Sequence, residues 1–323
     1  MSGKTRSRRG DRDAEENDGE DLSSLQSTDP VVALACSDLH LQLEVPLARM
    51  GEPNWFKAMA RPLNELEALR DKYKVPILCS GDIFDCWNAS PELINFAMDN
   101  VPYMLAIPGQ HDLPYHNLED IDKSAFMTLV KAERIALVPK HAVQITPTLH
   151  ISGFAFGVDI EPCERRKGLN IALIHRYVWI PGHSYPGALP QNRAGCLPTD
   201  YDLIVSGDNH KGFLTKIANC LCFNCGSLVR RKADEIDYEP QVGIIHASGK
   251  VELHLLDTDR DKINPIEEIE TIKNNTDLDG FFAELASMQK SIVDFTEMME
   301  RVMDEKKVSP AMREILTKAM EKK

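Results

Sequence analysis

Five short motifs in this sequence contain aspartate, histidine or both, and each follows an apolar run. In chain order they read "SDLH" (37–40), "GDIFD" (81–85), "GQHD" (109–112), "LIHRY" (173–177) and "GDNH" (207–210). Carboxylate oxygens and imidazole nitrogens together suit manganese, iron or zinc. A carboxylate between two such ions can bridge them at the ~3.5–4 Å separation that two-metal hydrolysis uses. The motifs therefore predict a site for divalent cations.

The apolar runs before the motifs indicate the elements that position them. Runs such as "VVALAC" before Asp38 and "DLIVS" before Asp208 are typical of strands buried on both faces of a sheet in an α/β fold. Ligand sites in open α/β sheets gather at the carboxyl ends of strands, so we expect the motifs to meet there. Glycines before Asp82 and Asp208 allow the backbone to approach its neighbours closely.

Taken singly, each motif has a simpler explanation. A lone D-x-H arises often by chance, and "GD" after a strand is often only a turn. A histidine such as His175, taken alone, is more often a hydrogen-bonded core residue than a ligand. Five such motifs in order, each after a buried-strand pattern, are much less readily explained as unrelated turns.

Helices and a hairpin are predicted between and after these strands. Apolar residues recur with a helical period in "NWFKAMARPLNELEALRDKY" (54–73). A second helix is predicted over 90–100, with Ser90 as N-cap and Pro91 at the first helical position. The alternation in "VGIIHASGKVELHLLD" (242–257) predicts an antiparallel hairpin that turns at "ASGK".

Changes in composition divide the chain into four parts. Residues 1–29 are polar and charged, which predicts a disordered tail because too little apolar surface is available to fold. Residues 30–260 carry the strands and motifs and form the predicted catalytic domain. Residues 261–276 are interpreted as a linker, with a β-strand as the alternative. Residues 277–323 have amphipathic patterns typical of a C-terminal helical extension.

Bulk composition limits the classes of function. The formal charge of -13 argues against broad electrostatic capture of nucleic acid, although carboxylates gathered around cations give the same balance. The eight cysteines lie mostly in apolar segments, without a disulfide framework. Alternation within "CLCFNC" (220–225) puts Cys220 and Cys222 on one face of a strand, which favours sheet residues over zinc ligands. With no apolar run of ~20 residues, we expect a cytoplasmic protein without membrane contact.

The ordered motifs resemble those of the calcineurin-like metallophosphoesterase superfamily over residues 31 to 230. That superfamily has D-x-H, G-D-x-x-D, G-N-H-D or G-N-H-E, a single histidine and G-H-x-H, in this order. The resemblance implies a four-layer αββα sandwich, in which two mixed sheets pack face to face with helices outside. C-terminal helices would follow this domain.

The resemblance also implies roles for ten residues. The ligands that it implies for a first ion are Asp38, His40, Asp82 and His210. Those that it implies for a second ion are Asp82, Gln110, His175 and Asp208. It further implies that His111 is the general acid and that Asp85 and Asp112 orient histidine side chains.

Two positions depart from the superfamily pattern. Gln110 stands where the pattern has asparagine, and its amide oxygen reaches one methylene further. Asp208 stands where the pattern has histidine, so an anionic oxygen replaces a neutral nitrogen. Both residues keep a donor atom, and the added carboxylate favours a harder ion. We therefore expect two Mn²⁺ ions, with Mg²⁺, Fe²⁺ or Zn²⁺ as alternatives.

The segments after the last motif are similar to those of SbcD-like DNA repair exonucleases. "FNCGSLVRR" (223–231) resembles the "NPGS" segment of that branch, with Cys225 in place of proline. The following hairpin is similar to its closing strands. The C-terminal helices are similar to the extension that holds the coiled-coil base of an ABC-type ATPase, although their own domain is the commoner partner of amphipathic helices.

Basic and aromatic residues near the motifs allow two interpretations. Basic side chains can contact DNA phosphates or form a solvated face; they are Arg165, Arg166, Lys167, Arg176, Lys211, Arg230, Arg231 and Lys232. Aromatic side chains of the 176–187 loop can stack on unpaired bases or pack on their own loop; they are Tyr177, Trp179 and Tyr185.

Together these features predict a two-metal DNA exo- or endonuclease of DNA repair or recombination, from a phage or mobile element. DNA is the expected substrate, an ABC-type ATPase the expected partner, and a homodimer the open alternative. A small-molecule phosphodiesterase or phosphatase is the second hypothesis. A non-catalytic scaffold is the third, and it is disfavoured because buried carboxylates cost free energy without a cation.

Overall fold

The protein was analysed as a computed structural model, which describes residues 29–182, 184 and 188–265. Nearly all of the predicted tail, most of the predicted linker and the whole predicted helical extension lie outside the described residues. Within these ranges, no helix combines the length and the apolar character that a membrane crossing requires.

The described residues form twelve strands in two six-stranded sheets. In chain order the strands are β1 (Val31–Cys36), β2 (Ile77–Cys79), β3 (Met104–Ala106), β4 (Ile135–Leu137), β5 (Val143–Thr146), β6 (Leu149–Phe154), β7 (Leu169–His175), β8 (Leu203–Gly207), β9 (Phe213–Ile217), β10 (Cys220–Asn224), β11 (Gln241–His246) and β12 (Val251–Leu255). The first sheet has the order β12-β11-β1-β2-β3-β4 and the second β5-β6-β7-β8-β10-β9. Both sheets mix parallel and antiparallel pairs, which confirms the predicted two mixed sheets.

Three α-helices lie on the sequence segments that connect the strands of the first sheet. They are α1 (Trp55–Tyr73), α2 (Pro91–Asn100) and α3 (Ala125–Lys131). The Ser90 side chain accepts a hydrogen bond from the Leu93 amide, which confirms the predicted N-cap of α2. Apolar residues of α1, including Met59 and Leu63, pack with Leu34 of β1 on the outer face of this sheet.

An apolar core lies between the two sheets, and a second apolar cluster covers the outer face of the second sheet. Ala35 and Leu78 of the first sheet pack with Leu173 and Val205 of the second. On the outer face of the second sheet, Ile174 packs under the 176–202 segment. In its described part, that segment has short 3-10 turns at Pro190–Asn192 and Ala194–Cys196, where the resemblance implies helices.

Two predicted boundaries differ from the structure because side-chain contacts connect Asp29 and Asp261 to the domain. Asp29, predicted in the tail, accepts hydrogen bonds from the backbone and side chain of Ser248 in the β11–β12 turn. Asp261, predicted as the first linker residue, is 11% exposed and pairs with three arginines. The described residues 261–265 therefore belong to the folded domain.

Sequence reasoning placed all five motif strands and the closing hairpin, but did not identify β4, β5 and β6. The cysteine interpretation agrees with the structure. Cys220 and Cys222 lie on β10 as buried free thiols in the outer cluster, whereas Cys225 is buried between the sheets. Among the described residues, the groups with metal-binding geometry contain no cysteine.

Candidate metal centre

The two sheets bring the predicted motifs to a common edge. β1, β2 and β3 are parallel neighbours in the first sheet, and β7 and β8 are parallel neighbours in the second. The carboxyl ends of the two strand sets face each other across the apolar core. The Ser80 hydroxyl, which follows β2, donates to the carbonyl of Val205 on β8 at 3.0 Å and so connects the two sheets. The predicted ligands therefore converge because parallel strands of two packed sheets end at one side.

The first ligand group consists of Asp38, His40 and His210, whose donor atoms have metal-binding geometry. The Nε2 atoms of the two histidines are 3.0 Å apart. Asp38 Oδ1 lies 3.7 Å from His40 Nε2 and 3.9 Å from His210 Nε2. One cation can therefore be reached by two imidazoles and a carboxylate.

The second ligand group consists of Asp38, Asp82 and His175. Asp82 Oδ2 lies 3.4 Å from His175 Nε2 and 3.7 Å from His40 Nε2. Asp82 thus faces a histidine of each group, and Asp38 belongs to both groups. Carboxylates in this position allow two cations to sit close enough to act on one phosphoryl group.

Unusual backbone conformations aim several of these side chains. The φ angles of Asp38, His40, Asp82 and Asp208 are 53°, 43°, 53° and 75°. A left-handed conformation in residues other than glycine costs free energy and concentrates at functional sites. Gly81 has φ 102°, and a Cβ at this position would lie 2.5 Å from His175 Nδ1, so the expected close approach is present.

Several buried atoms of the centre could bind a metal ion and have no hydrogen-bond partner. Asp38, Asp82 and His175 are almost completely buried. Asp82 Oδ2, His175 Nε2 and the Gln110 side-chain oxygen each lack a partner. Buried polar atoms are costly when unpaired, and divalent cations would satisfy all three. The residues present therefore fit a pair of divalent ions.

Charges within the centre shift its pKa values in opposite directions. Burial opposes the charged forms, but the neighbouring Asp82 carboxylate raises the pKa of His175 well above its usual range. In return, His175 holds the pKa of Asp82 below the range of a free carboxyl group despite burial. Burial raises the pKa of Asp208.

Outer partners hold the three imidazoles. His40 Nδ1 lies 3.2 Å from Asp85 Oδ1, which agrees with the predicted orienting role of Asp85. His210 Nδ1 lies 3.8 Å from Glu235 Oε1, and His175 Nδ1 lies 2.5 Å from the Ser80 carbonyl oxygen. Sequence reasoning missed Glu235, because it lies in a loop far from His210 in sequence and belongs to none of the motifs.

The two departures from the superfamily pattern contact each other. The Gln110 side-chain amide donates to Asp208 Oδ1 at 2.9 Å, and the Asp208 backbone amide lies 3.2 Å from both oxygens of Asp38. Both residues therefore border the second ligand group, and Asp208 belongs to none of the acidic and histidine sets with metal-binding geometry. Gln110 presents its unpaired oxygen there, and Asp208 fixes the orientation of its amide.

Asp112 differs from its predicted role. Its carboxylate contacts no imidazole; it accepts hydrogen bonds from the backbone amides of Ile83, Phe84 and Gly109 at 3.0–3.2 Å. Burial and then the charge of Asp82 raise the pKa of Asp112 to about 7. Asp112 therefore holds together the two loops that carry Asp82 and His111, because adjacent backbone amides are the nearest donors.

His111 lies at the open side of the centre. Its Nδ1 is 2.7 Å from the Asp85 carbonyl oxygen, and its backbone amide donates to Asp82 Oδ1 at 2.9 Å. Its ring centroid is 4.9 Å from that of His40. His111 also lines a cleft of about 560 Å³, together with Gln110, Tyr177, Ser184, Asp208, Asn209, His210, Lys211, Lys232, Asp234, Glu235 and Tyr238.

The calcineurin-like phosphoesterase family model matches residues 32–212, more than half of the chain. This chain belongs to the calcineurin-like phosphoesterase family. The family match agrees with the two ligand groups, whose carboxylates and imidazoles suit divalent ions. No curated protein matches the sequence.

Solved structures similar to this phosphoesterase are distant. A 5'-nucleotidase precursor from Thermus thermophilus is 14% identical, with TM-score 0.43, 72% of this chain covered and 56% of that one. An NAD nucleotidase from Haemophilus influenzae is 15% identical, with TM-score 0.39, 80% of this chain covered and 59% of that one. An archaeal phosphodiesterase is 13% identical, with TM-score 0.34, 69% of this chain and 99% of that one covered. The chain thus spans little more than half of either nucleotidase, and at this distance the likeness says nothing about substrate.

All five arginines predicted near the site are engaged in ion pairs. Arg165 pairs with Asp202 at 2.8 Å, Arg166 with Glu164 at 3.0 Å and Arg176 with Asp159 at 3.6 Å; Arg230 pairs with Asp261 and Arg231 with Asp85. Lys211 and Lys232 instead line the cleft.

The aromatic residues of the 176–187 loop also differ in position. Tyr177 lines the cleft. Trp179 packs within its own loop, because its Nε1 donates to the Leu189 carbonyl and Arg193 stacks over its ring. Tyr185 lies outside the described residues. Tyr177 is therefore the described aromatic residue of this loop that is positioned to meet a substrate.

Proposed function

We propose that this protein is a two-metal phosphodiesterase that cleaves DNA, an exo- or endonuclease of the SbcD-like type. The observation that carries this proposal is the pair of ligand groups that share Asp38, with Asp82 in the second group and His111 at their open edge. When bound, the two cations neutralise phosphate charge and lower the pKa of an attacking water.

The protein side chains then perform the remaining tasks. His111 Nδ1 is held by the Asp85 carbonyl, so the ring nitrogen left for the leaving oxygen is Nε2. Protonated at Nε2, His111 gives its proton to the oxygen that departs from phosphorus. Asp82, held by the His111 amide, fixes the distance between the general acid and the ligand groups.

DNA as substrate is supported by the segment that resembles the nuclease branch and by the lining of the cleft. Residues 227 and 228 of "FNCGSLVRR" lie at the centre, because the Ser227 and Leu228 amides donate to the His210 and Asp38 carbonyls. Lys211 and Lys232 supply cationic groups for phosphates, and Tyr177 supplies a surface for a base.

A small-molecule phosphodiester is the second candidate substrate. The cleft volume of about 560 Å³ falls within the range typical of sites for small ligands. In addition, five of the predicted DNA-contacting arginines are already paired with carboxylates. A nucleotide-sized phosphodiester fits this volume without further protein surface.

The decisive experiment compares substrates on one protein preparation. Metal-free protein is incubated with labelled linear duplex DNA, single-stranded DNA and a p-nitrophenyl phosphodiester, with and without Mn²⁺. We expect Mn²⁺-dependent release of nucleotides or short oligomers, and a kcat about 10²–10⁴-fold lower in His111→Ala. The exposed His141→Ala serves as matched control and retains full activity.

The outcomes separate the candidates. Hydrolysis of the p-nitrophenyl diester alone would establish the second candidate and exclude the nuclease. Absence of Mn²⁺ binding in calorimetry would contradict both and favour a non-catalytic scaffold.

We also propose that the C-terminal residues bind the coiled-coil base of an ABC-type ATPase in the cytoplasm. All eight cysteines are free thiols, which supports a reducing compartment. The described chain ends beside residues 48–51, where Asn264 contacts Ala48 and Gly51. Light scattering of the purified full chain tests the alternative, because a homodimer would appear without any ATPase present.

A further inference from the structure

The loop between β10 and β11, residues 225–240, is attached to two separate parts of the molecule. Its two consecutive arginines, Arg230 and Arg231, make these attachments with side chains that reach different partners. Arg231 reaches the metal centre, and Arg230 reaches a partly buried ion cluster formed by Arg49, Glu52, Arg61 and Asp261.

Arg231 holds the residue that orients both His40 and His111. Its Nη1 donates to Asp85 Oδ1 at 2.5 Å and to Gln42 Oε1 at 3.1 Å. The same Asp85 oxygen faces His40 Nδ1 at 3.2 Å, and the Asp85 carbonyl receives His111 Nδ1 at 2.7 Å. The Arg231 side chain is 11% exposed and the Asp85 side chain 36%, so the ion pair is partly buried.

Arg230 is held by Asp261 near the end of the described chain. Its Nε and Nη2 donate to Asp261 Oδ2 at 3.2 and 3.1 Å, and Nη2 also donates to the Thr258 carbonyl at 3.2 Å. The Arg230 carbonyl accepts from Nη1 of the fully buried Arg49 at 2.6 Å. Both the backbone and the side chain of Arg230 are thereby fixed.

Asp261 is the residue that accepts hydrogen bonds from all three arginines of the ion cluster. It receives Arg49 at 2.9 Å, Arg61 at 2.7 Å and Arg230 at 3.1 Å. It lies on the 257–265 segment, from which the chain continues into the residues beyond 265. A shift of this segment would therefore displace Arg230 first.

We propose that Asp261 is a positioning residue of the metal centre, which acts through Arg230 and Arg231 on Asp85. One planar peptide unit joins Arg230 to Arg231, so a displacement of the Arg230 backbone also shifts the Arg231 backbone. Partners that orient metal ligands typically change metal affinity ~10–100-fold. The inference rests on the proposed two-metal function.

The test measures Mn²⁺ affinity by calorimetry together with thermal unfolding on the full chain. Asp261→Asn is expected to lower Tm and to weaken the ion held by His40 about tenfold. Arg61→Gln is the matched control, because Arg61 contacts Asp261 and Glu52 without touching Arg230. This control is expected to lower Tm and to leave Mn²⁺ affinity unchanged.

Further variants follow the proposed connection. Arg231→Gln is expected to weaken Mn²⁺ binding at least as much as Asp261→Asn, and the double variant no more than Arg231→Gln alone, because both act through one link. Arg230→Gln breaks the same link and leaves Asp261 paired with two arginines, so it serves if Asp261→Asn does not fold.

The possible results are distinct. Unchanged Mn²⁺ affinity in Asp261→Asn or Arg230→Gln, beside a lowered Tm, would overturn the positioning role. Equal losses of affinity in Arg61→Gln and Asp261→Asn would assign the effect to general loosening and overturn it as well. A wild-type chain that binds no Mn²⁺ would instead contradict the proposed function itself.

Discussion

The two ligand groups differ in how their donors are held. In the first, the outer nitrogens of His40 and His210 face the carboxylates of Asp85 and Glu235, at 3.2 and 3.8 Å. In the second, the outer nitrogen of His175 faces the neutral Ser80 carbonyl at 2.5 Å. Carboxylate partners increase the basicity of an imidazole ligand more than a carbonyl does, so the first group should bind its ion more tightly.

The chemistry of the donors differs in the same direction. The first group offers two imidazole nitrogens, whereas the second offers one, together with the oxygens of Asp82 and Gln110. Nitrogen donors suit transition metals, and oxygen donors suit Mn²⁺ or Mg²⁺. The centre thus combines a nitrogen-rich ligand group with an oxygen-rich one. The substitutions below distinguish the ions that these two groups bind.

Asp82→Asn should prevent binding of both ions, because it removes a carboxylate that faces a histidine of each ligand group. We expect calorimetry to detect neither high-affinity Mn²⁺ site, and phosphodiester hydrolysis to fall by at least about 10³-fold, since each cation supplies several kcal/mol. Asp71→Asn, at an exposed position of α1, is the control. Retention of two Mn²⁺ ions by Asp82→Asn would show that Asp82 does not bridge them.

His210→Ala and His175→Ala should each remove one ion, and not the same one. We expect one Mn²⁺ per chain in both variants and an activity loss of about 10²-fold or more. His210→Ala should retain the weaker ion and His175→Ala the tighter one, as read from calorimetric titrations. Indistinguishable affinities in the two variants would refute the asymmetry of the groups.

Substitutions at Gln110 and Asp208 should affect the weaker ion alone. Each single change to Ala should weaken it about tenfold. The double variant should be little worse than either single one, because Asp208 acts by holding the Gln110 amide. Additive losses would instead indicate that both side chains bind the ion directly. The spin coupling of two bound Mn²⁺ ions in electron paramagnetic resonance gives an independent measurement.

Metal affinity should rise with pH. The Asp82 carboxylate raises the pKa of His175 despite burial, so without metal this imidazole keeps its proton at higher pH than a free histidine. Below that pKa, Mn²⁺ must displace a proton, and affinity changes by at most about tenfold per pH unit for each proton. Calorimetry in buffers of different ionisation enthalpy counts the released protons. A pH-independent affinity between pH 6 and 8 would contradict the raised pKa.

Much of this site was predictable because its chemistry lies in short, local patterns. An apolar run followed by Asp or His identifies both the strand and the ligand at its end, as for β1 with Asp38 and β8 with His210. The helix α2 was predictable from its cap and its proline. By contrast, β4 to β6 were missed, because their runs end without a ligand motif.

Roles that depend on a partner distant in sequence were not predictable in the same way. Asp112 was expected to orient a histidine, and its carboxylate instead holds three backbone amides. Glu235 was assigned no role, and Arg231 was interpreted only as a DNA-phosphate contact or part of a solvated face, although each contacts a residue of the centre. The direction in which a side chain points from a loop depends on the packing of other elements, and that information is not local.

The sequence by itself determined the type of donors, their order and the α/β frame that carries them, because strand periodicity and ligand chemistry are properties of adjacent residues. Only the tertiary structure decided which donors share an ion position, that Gln110 and Asp208 contact each other, and that Asp261 is connected to His40. Those facts depend on how two sheets and the 225–240 loop pack, which brings together residues that are distant in sequence, such as His40 and His210, 170 positions apart.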